Sequence, residues 1–243
     1  MVSQIRLFTG SETMNPVSFQ LSRDELNQRF GEGIPKGSIV IVEGGHGKGK
    51  SVICQRMAYG FLSNNHTITI VSTQHSTTDF IKQMYSIDYP VMKFMIRGAL
   101  LYIPVYPLVS ETTQPYDFLE KLMGAKALFE SEIVVIDALS RLIKYSADEY
   151  KTMDLISFFK RLTGTGKIIV LCIEPEEMDD AILVQLHSIS DISVAVESKI
   201  IGGDVKCSVI INKYNGALAP FAKITGFRIE PGIGFVTEIS SIS

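Results

Sequence analysis

The chain has 243 residues, a formal net charge of −3 and a sequence pI of about 5.8, with 46% hydrophobic and 20% charged residues. These values exclude a disordered or collagen-like chain, and the absence of any long run of like charge argues against a general affinity for nucleic acid. The most apolar region, Gly98 to Val109, is too short to span a bilayer and is broken by Pro104 and Pro107; with no signal-peptide pattern at the N-terminus, a cytoplasmic protein is expected.

The length suits one large α/β domain, and without repeats or low-complexity segments a single domain over residues 1–243 is expected. Residues 1–16 show no firm period. Val17 to Leu21 alternates and predicts a short strand. Ser22-Arg23-Asp24-Glu25 has capping-box spacing, and Leu26 and Phe30 at helical separation predict a short helix to Gly31. The turn Gly33-Ile34-Pro35-Lys36-Gly37 then leads into Ser38-Ile39-Val40-Ile41-Val42, a buried strand pattern.

That strand delivers the chain into Gly44-Gly45-His46-Gly47-Lys48-Gly49-Lys50-Ser51, which matches the phosphate-binding pattern G-x-x-x-x-G-K-[ST] without a mismatch and runs on into a helical pattern to Leu62. Glycine is needed where backbone must approach phosphate and turn sharply, so that successive N–H groups and the helix N-terminus face the anion. Lys50 supplies a point charge for the β- and γ-phosphates, and Ser51 supplies a hydroxyl for Mg²⁺. His46 and Lys48 fill variable positions of the loop and are expected in solvent.

Asn64-Asn65 predicts a turn, and Thr67 to Val71 a second core strand. Ser72-Thr73-Gln74-His75 leaves its C-terminal end, where functional residues of open parallel sheets collect, and Ser76-Thr77-Thr78-Asp79 repeats the capping-box spacing before a helix through Tyr85. Asp88 to Met95 has no clear period. Ala99 to Ile103 predicts a third strand, Pro104 to Pro115 a long loop with either a nucleotide- or partner-dependent role or a simple surface path, and Tyr116 to Phe129 an amphipathic helix.

Ile133-Val134-Val135-Ile136-Asp137 is a buried strand ending in a carboxylate, which beside a phosphate loop can hold Mg²⁺ directly or through water. Ser146-Ala147-Asp148-Glu149 predicts a cap for a helix through Leu162, ended by Gly164 and Gly166 before a strand from Lys167 to Cys172. From Asp191 onward, Ile192 to Glu197, Val205 to Asn212 and Gly234 to Ile239, with turns such as Gly202-Gly203, predict β-hairpins closing one edge of the sheet. Cys54, Cys172 and Cys207 fall in apolar patterns and are expected as buried reduced thiols.

Gly31 to Ser51, Ser72 to Asp79, Ile133 to Leu142 and Phe227 to Phe235 together resemble the KaiC-like branch of the RecA ATPases, most of all its archaellum motor accessory family, FlaH or ArlH, over a core of about residues 20–239. The resemblance implies an α/β, RecA-like P-loop core, a mainly parallel sheet flanked by helices with C-terminal antiparallel hairpins, that binds ATP with Mg²⁺. It also implies a homo-oligomer placed beside the archaellum motor ATPase, membrane platform and scaffold-ring proteins at the cytoplasmic face of the membrane.

Two departures bear on catalysis. Where hydrolytic KaiC-like proteins carry paired glutamates, one of which activates water, this chain has Gln74 and His75; Gln orients water but takes no proton, and His75 is the substitute base if it turns inward. Lys213-Tyr214-Asn215 resembles the Lys-x-Arg element that reaches a neighbouring subunit's nucleotide, with Lys213 kept and Asn215 in the arginine's place; Lys213 either senses phosphate in trans or leaves an edge strand for water. Glu174 matches a polar position near the nucleotide, but Glu174-Pro175-Glu176-Glu177 reads foremost as a solvated approach to a helix. The reading is an ATP-binding regulatory subunit with weak or absent hydrolysis. The alternative is an active RecA- or KaiC-type ATPase acting on DNA, or an autokinase using the hydroxyls Ser72, Thr73, Ser76, Thr77 and Thr78.

Overall fold

A computed structural model describes residues 15–105, 118–144, 149–201 and 204–238. The strands are β1 (Ile39–Glu43), β2 (Ile68–Ser72), β3 (Leu100–Pro104), β4 (Ile133–Asp137), β5 (Ile168–Ile173), β6 (Ile192–Ile201), β7 (Asp204–Tyr214), β8 (Ile224–Glu230) and β9 (Gly234–Glu238). The helices are α1 (Leu26–Arg29), α2 (Lys50–Ser63), α3 (Thr77–Ser86), α4 (Met92–Ile96), α5 (Phe118–Gly124), α6 (Leu139–Ile143), α7 (Glu149–Thr163) and α8 (Asp180–Ile189). One sheet holds the nine strands in the order β3-β2-β4-β5-β1-β6-β7-β8-β9. From β3 to β6 neighbours are parallel, and from β6 to β9 antiparallel.

The aliphatic runs of β1, β4 and β5 fail to alternate with polar residues because both faces of the sheet are covered. In β1, Val40 and Val42 join a cluster with Ile53 and Met57 of α2, whereas Ile39 and Ile41 join Leu155 and Phe159 of α7 on the opposite face. The same division runs through β4 and β5: Val135 and Val170 on the first side, Ile136 and Leu171 on the second. Strand direction is uniform here, so β1, β2, β4 and β5 present their C-terminal ends at one rim, with Glu43 level with Ile173 and Ser72 level with Asp137. The chemistry-bearing residues sit on that rim.

Several local expectations meet competing bonds. Val17 to Leu21 forms only the isolated pairs Val17–Ile34 and Leu21–Asp24. The Phe19 carbonyl accepts from Arg56 and the Phe19 N–H donates to Asn27 Oδ1, so neither is left for a ladder. The Ser22 to Glu25 box is not used: α1 starts at Leu26 after Glu25, whose side chain makes no cap, and Asp24 Oδ1 accepts from Leu26 N. Ser76 does cap α3, accepting from the Asp79 N–H at 3.2 Å. The helix expected to Phe129 stops at Gly124, and Lys126–Phe129 follows as a 3₁₀ turn.

Asp88 to Met95, without period in sequence, contains most of α4, and β8 is a strand that the sequence pattern did not single out. The Pro104 to Pro115 loop beyond Val105, the Ser146 cap and the Gly202-Gly203 turn lie outside the described residues. Cys54 and Cys172 are buried and reduced, their sulfurs 2.8 Å apart, while Cys207 is only half-buried. Among the described residues no helix is long and apolar enough to cross a membrane.

Candidate nucleotide-binding site

The loop from Gly44 to Gly49 joins β1 to α2. Gly44 lies so close to β6 that a Cβ there would stand 2.5 Å from the Val196 carbonyl oxygen, and Gly49 ends the loop at φ +94°, a left-handed conformation that L side chains strain to adopt. Glycine meets both demands, having no Cβ to strike β6 and little strain at positive φ. Phe227, stacked on Phe235 at 5.0 Å, supports Gly49 from the antiparallel side.

Lys50 opens α2 and is buried, its Nζ donating to Gly45 O and to Glu174 Oε1, each at 3.2 Å. The next side chain, Ser51, donates to Gln74 Oε1 at 3.2 Å and stands 3.5 Å from Asp137 Oδ1. Gln74 completes the group, its Nε2 donating to Asp137 Oδ1 at 3.1 Å. Three elements, α2, the end of β2 and the end of β4, therefore converge on one point. Thr73 ties the two strand ends together: its N–H donates to the Asp137 carbonyl at 2.7 Å, and its hydroxyl accepts from Ala138 N at 3.2 Å.

Burial pushes the Asp137 carboxyl above its ordinary range, against the lowering effects of the Ser51 hydroxyl and the Lys50 charge. A buried carboxylate beside a serine hydroxyl and an amide oxygen is a set of hard oxygen donors, and a divalent cation there offsets the burial penalty. The residues thus fit Mg²⁺ and a phosphate chain.

The other predicted positions divide. His75 is half-buried and lines a small cleft with Ser72, Phe80, Tyr102 and Asp137; Tyr102, raised to about 12 by burial, donates to the His75 carbonyl at 2.9 Å. His46 is exposed. Lys48 is not fully in solvent: its Cε folds back to 3.1 Å from where a Gly45 Cβ would be, and Glu176 Oε1 lies 3.2 Å from the same point. Lys213 lies well away from the loop. It pairs with Ser193, level with Ile41 in mid-strand, and its Nζ donates to the His187 carbonyl at 3.2 Å in the last turn of α8.

Glu174 overturns the solvated reading. Only 5% exposed, it holds Lys50, and its Oε2 lies 3.9 Å from Arg141, whose Nε is 3.5 Å from Glu177. Its position one residue past β5 is the sequence signal that identifies it, the same strand-end signal that identifies Gln74 and Asp137. Arg141 carries no such signal.

The sheet order, the glycine loop and the strand-end acid define a RecA-type P-loop ATPase domain, and the family model for KaiC ATPases matches residues 23–237. The chain belongs to the FlaH family within the KaiC-like ATPases. It is 43% identical over 230 residues to the archaeal flagellar ATP-binding protein FlaH of Methanococcus voltae, covering 95% of this chain and 100% of that one, and equally identical to FlaH of Methanocaldococcus jannaschii, covering 95% and 99%. The crystal structure of the flagellar accessory protein FlaH from Methanocaldococcus jannaschii superposes with a TM-score of 0.89 over 93% of this chain and 100% of that one. A KaiC-like protein from Pyrococcus horikoshii, 19% identical, shares the fold at a TM-score of 0.72 over 93% of this chain and 100% of that one.

Proposed function

We propose that this chain is one ATP-binding domain serving as a regulatory accessory subunit of the archaellum motor, and that it holds ATP while hydrolysing it slowly. The 43% identity to FlaH proteins named for ATP binding and for the archaeal flagellum supports the first part. The observation that carries the second is Gln74. The side chain facing both Ser51 and Asp137 is an amide, whose oxygen accepts a hydrogen bond from the serine hydroxyl and whose nitrogen donates one to the carboxylate.

The loop amides from Gly44 to Gly49 and the Lys50 ammonium would grip the phosphates, while Ser51 and Asp137 would hold Mg²⁺, the latter directly or through water. When bound, Mg²⁺ neutralises charge on the phosphate oxygens. Gln74 braces the two metal-holding side chains but accepts no proton, and the loss of a general base costs about 10²–10⁴ in rate. Nucleotide then acts as a ligand that biases the chain toward one conformation, and slow hydrolysis times its release. That conformation docks the motor ATPase, membrane platform and scaffold ring at the cytoplasmic face of the membrane, with the chain as a homo-oligomer in which Lys213 meets a neighbour's nucleotide.

Three of the five hydroxyls read alternatively as phosphate acceptors have structural work: Ser72 accepts from Gln74 N, Thr73 from Ala138 N, and Ser76 caps α3. Phosphate release by native and Gln74→Glu protein, assayed side by side, tests the proposal. Slow native release, raised at least about tenfold by the restored carboxylate, is expected. Fast release by the native chain alone contradicts it.

A further inference from the structure

The Lys50 ammonium is the group that terminal phosphates need, and one carboxylate already holds it. We propose that the acidic turn from Glu174 to Glu177 is a built-in competitor for the phosphate site: Glu174 occupies Lys50 in place of a phosphate, and a nucleoside triphosphate displaces it, moving the turn off the loop. This rests on nucleotide binding by the loop and is independent of how fast the nucleotide is cut.

Two separate contacts place the turn against the cradle. Glu174 Oε1 lies 3.2 Å from Lys50 Nζ with both side chains buried, and Glu176 Oε1 stands 3.2 Å from the point a Gly45 Cβ would occupy. A triphosphate brings several negative charges to the same ammonium. One buried cation does not neutralise both a carboxylate and a phosphate, so the two anions exclude one another unless the carboxylate moves.

The turn is bonded within itself and anchored at one end, where Glu174 N donates to Ser140 Oγ of α6 at 3.2 Å. Pro175–Glu177 is a 3₁₀ turn closed by its own bonds, Glu177 N to Glu174 O at 3.0 Å and Met178 N to Pro175 O at 3.1 Å, and it lies between β5 and the Asp179 cap of α8. A receiver for the released charge stands beside it. Arg141, half-exposed on α6 just past Asp137, is 3.9 Å from Glu174 Oε2 and 3.5 Å from Glu177 Oε2. Occupancy of the phosphate site is thereby passed through Glu174 to Arg141 and the outer face of the turn.

The test has two independent readouts. Equilibrium binding of ATP and ADP is compared between native and Glu174→Gln protein, a change that keeps shape and removes the competing charge. The variant is expected to bind ATP about tenfold more tightly, within the usual range of coupling between sites, with a smaller gain for ADP. Hydrogen–deuterium exchange of the native chain is expected to show faster exchange at 174–178 when Mg-ATP is added, which requires no variant to fold. Equal or weaker ATP binding by Glu174→Gln, or unchanged exchange at 174–178 in a native chain that binds ATP, overturns this inference alone. A native chain that binds no ATP overturns the nucleotide reading and this inference with it.

Discussion

At the scale of single residues, Asp137 shows the cost of the site. Burial lifts its carboxyl above the ordinary value of 3.8, so the folded chain holds that proton more tightly than the unfolded one. Its ionisation therefore destabilises the fold progressively as pH rises from about 3.8 through the raised value, and the penalty is fully present above it. Asp137→Asn removes the penalty and, with it, the charge proposed to hold Mg²⁺. At neutral pH the variant is expected to melt above the native chain, with the gap closing as pH falls toward 3.8. The same variant is expected to lose the Mg²⁺-dependent part of ATP binding. Thermal melts across pH and titrations with and without Mg²⁺ check both, and an Asn variant that melts lower while keeping the Mg²⁺ effect contradicts the assignment.

The site was unevenly legible at this scale. Gly44 to Ser51 declares itself because phosphate binding needs contiguous backbone, and contiguous backbone is what a sequence displays. Asp137 follows from its place at a strand end. The pair of Lys50 with Glu174 is hidden because its members are 124 residues apart and only the β1–β5 pairing joins them. The bridging role of Gln74 is hidden for the same reason: an amide's two partners are set by tertiary packing, not by its neighbours in the chain.

At the scale of elements, α2 carries the phosphate loop, and its far half is clamped by the N-terminal segment. Arg56 is wholly buried, donating to both oxygens of Asp24 at 2.7 and 2.6 Å and to the Phe19 carbonyl at 3.0 Å. Arg56→Met strands the Asp24 charge and is expected to cost about 3–5 kcal/mol in chemical denaturation. A loss under about 1 kcal/mol would show that Asp24 finds water instead.

Gly60 tests the same clamp from the other side. Helix propensity alone gives Gly60→Ala about 1 kcal/mol of added stability. The new Cβ, however, would stand 2.1 Å from the Phe19 carbonyl oxygen and 2.6 Å from Arg56 Nη1. Phe19 or α2 must shift, and the net change is expected to be a loss of about 1–3 kcal/mol. A gain would show that the N-terminal segment is not seated on α2. This clamp also explains why Val17 to Leu21, strand-like in its alternation, pairs at isolated positions: its carbonyls serve the side chains of α2 and its end, Phe19 O accepting from Arg56 and Gln20 O from Asn64.

At the scale of the whole molecule, the parallel half of the sheet and the antiparallel half do different work. The parallel strands β1, β2, β4 and β5, buried on both faces, deliver Glu43, Ser72, Asp137 and Ile173 to one rim, and their aliphatic runs made them legible. The antiparallel half backs the loop: the Val196 carbonyl stands over Gly44 and the Phe227 ring against Gly49. There the periodicity was weaker, and β8, with exposed Ile224 and half-buried Ile229, has too ragged a pattern to be read without its neighbours. Together the two halves set the glycine loop, Lys50, Ser51, Gln74 and Asp137 around one point, the arrangement on which the proposal of ATP binding with slow hydrolysis rests.

The most direct test is a single titration of ATP into native and Lys50→Ala protein in Mg²⁺, with released phosphate followed in the same samples. The account predicts saturable binding by the native chain, loss of that binding in the variant, and phosphate release far slower than nucleotide exchange. Absence of binding by the native chain, undiminished binding by Lys50→Ala, or rapid phosphate release by the native chain alone would contradict it.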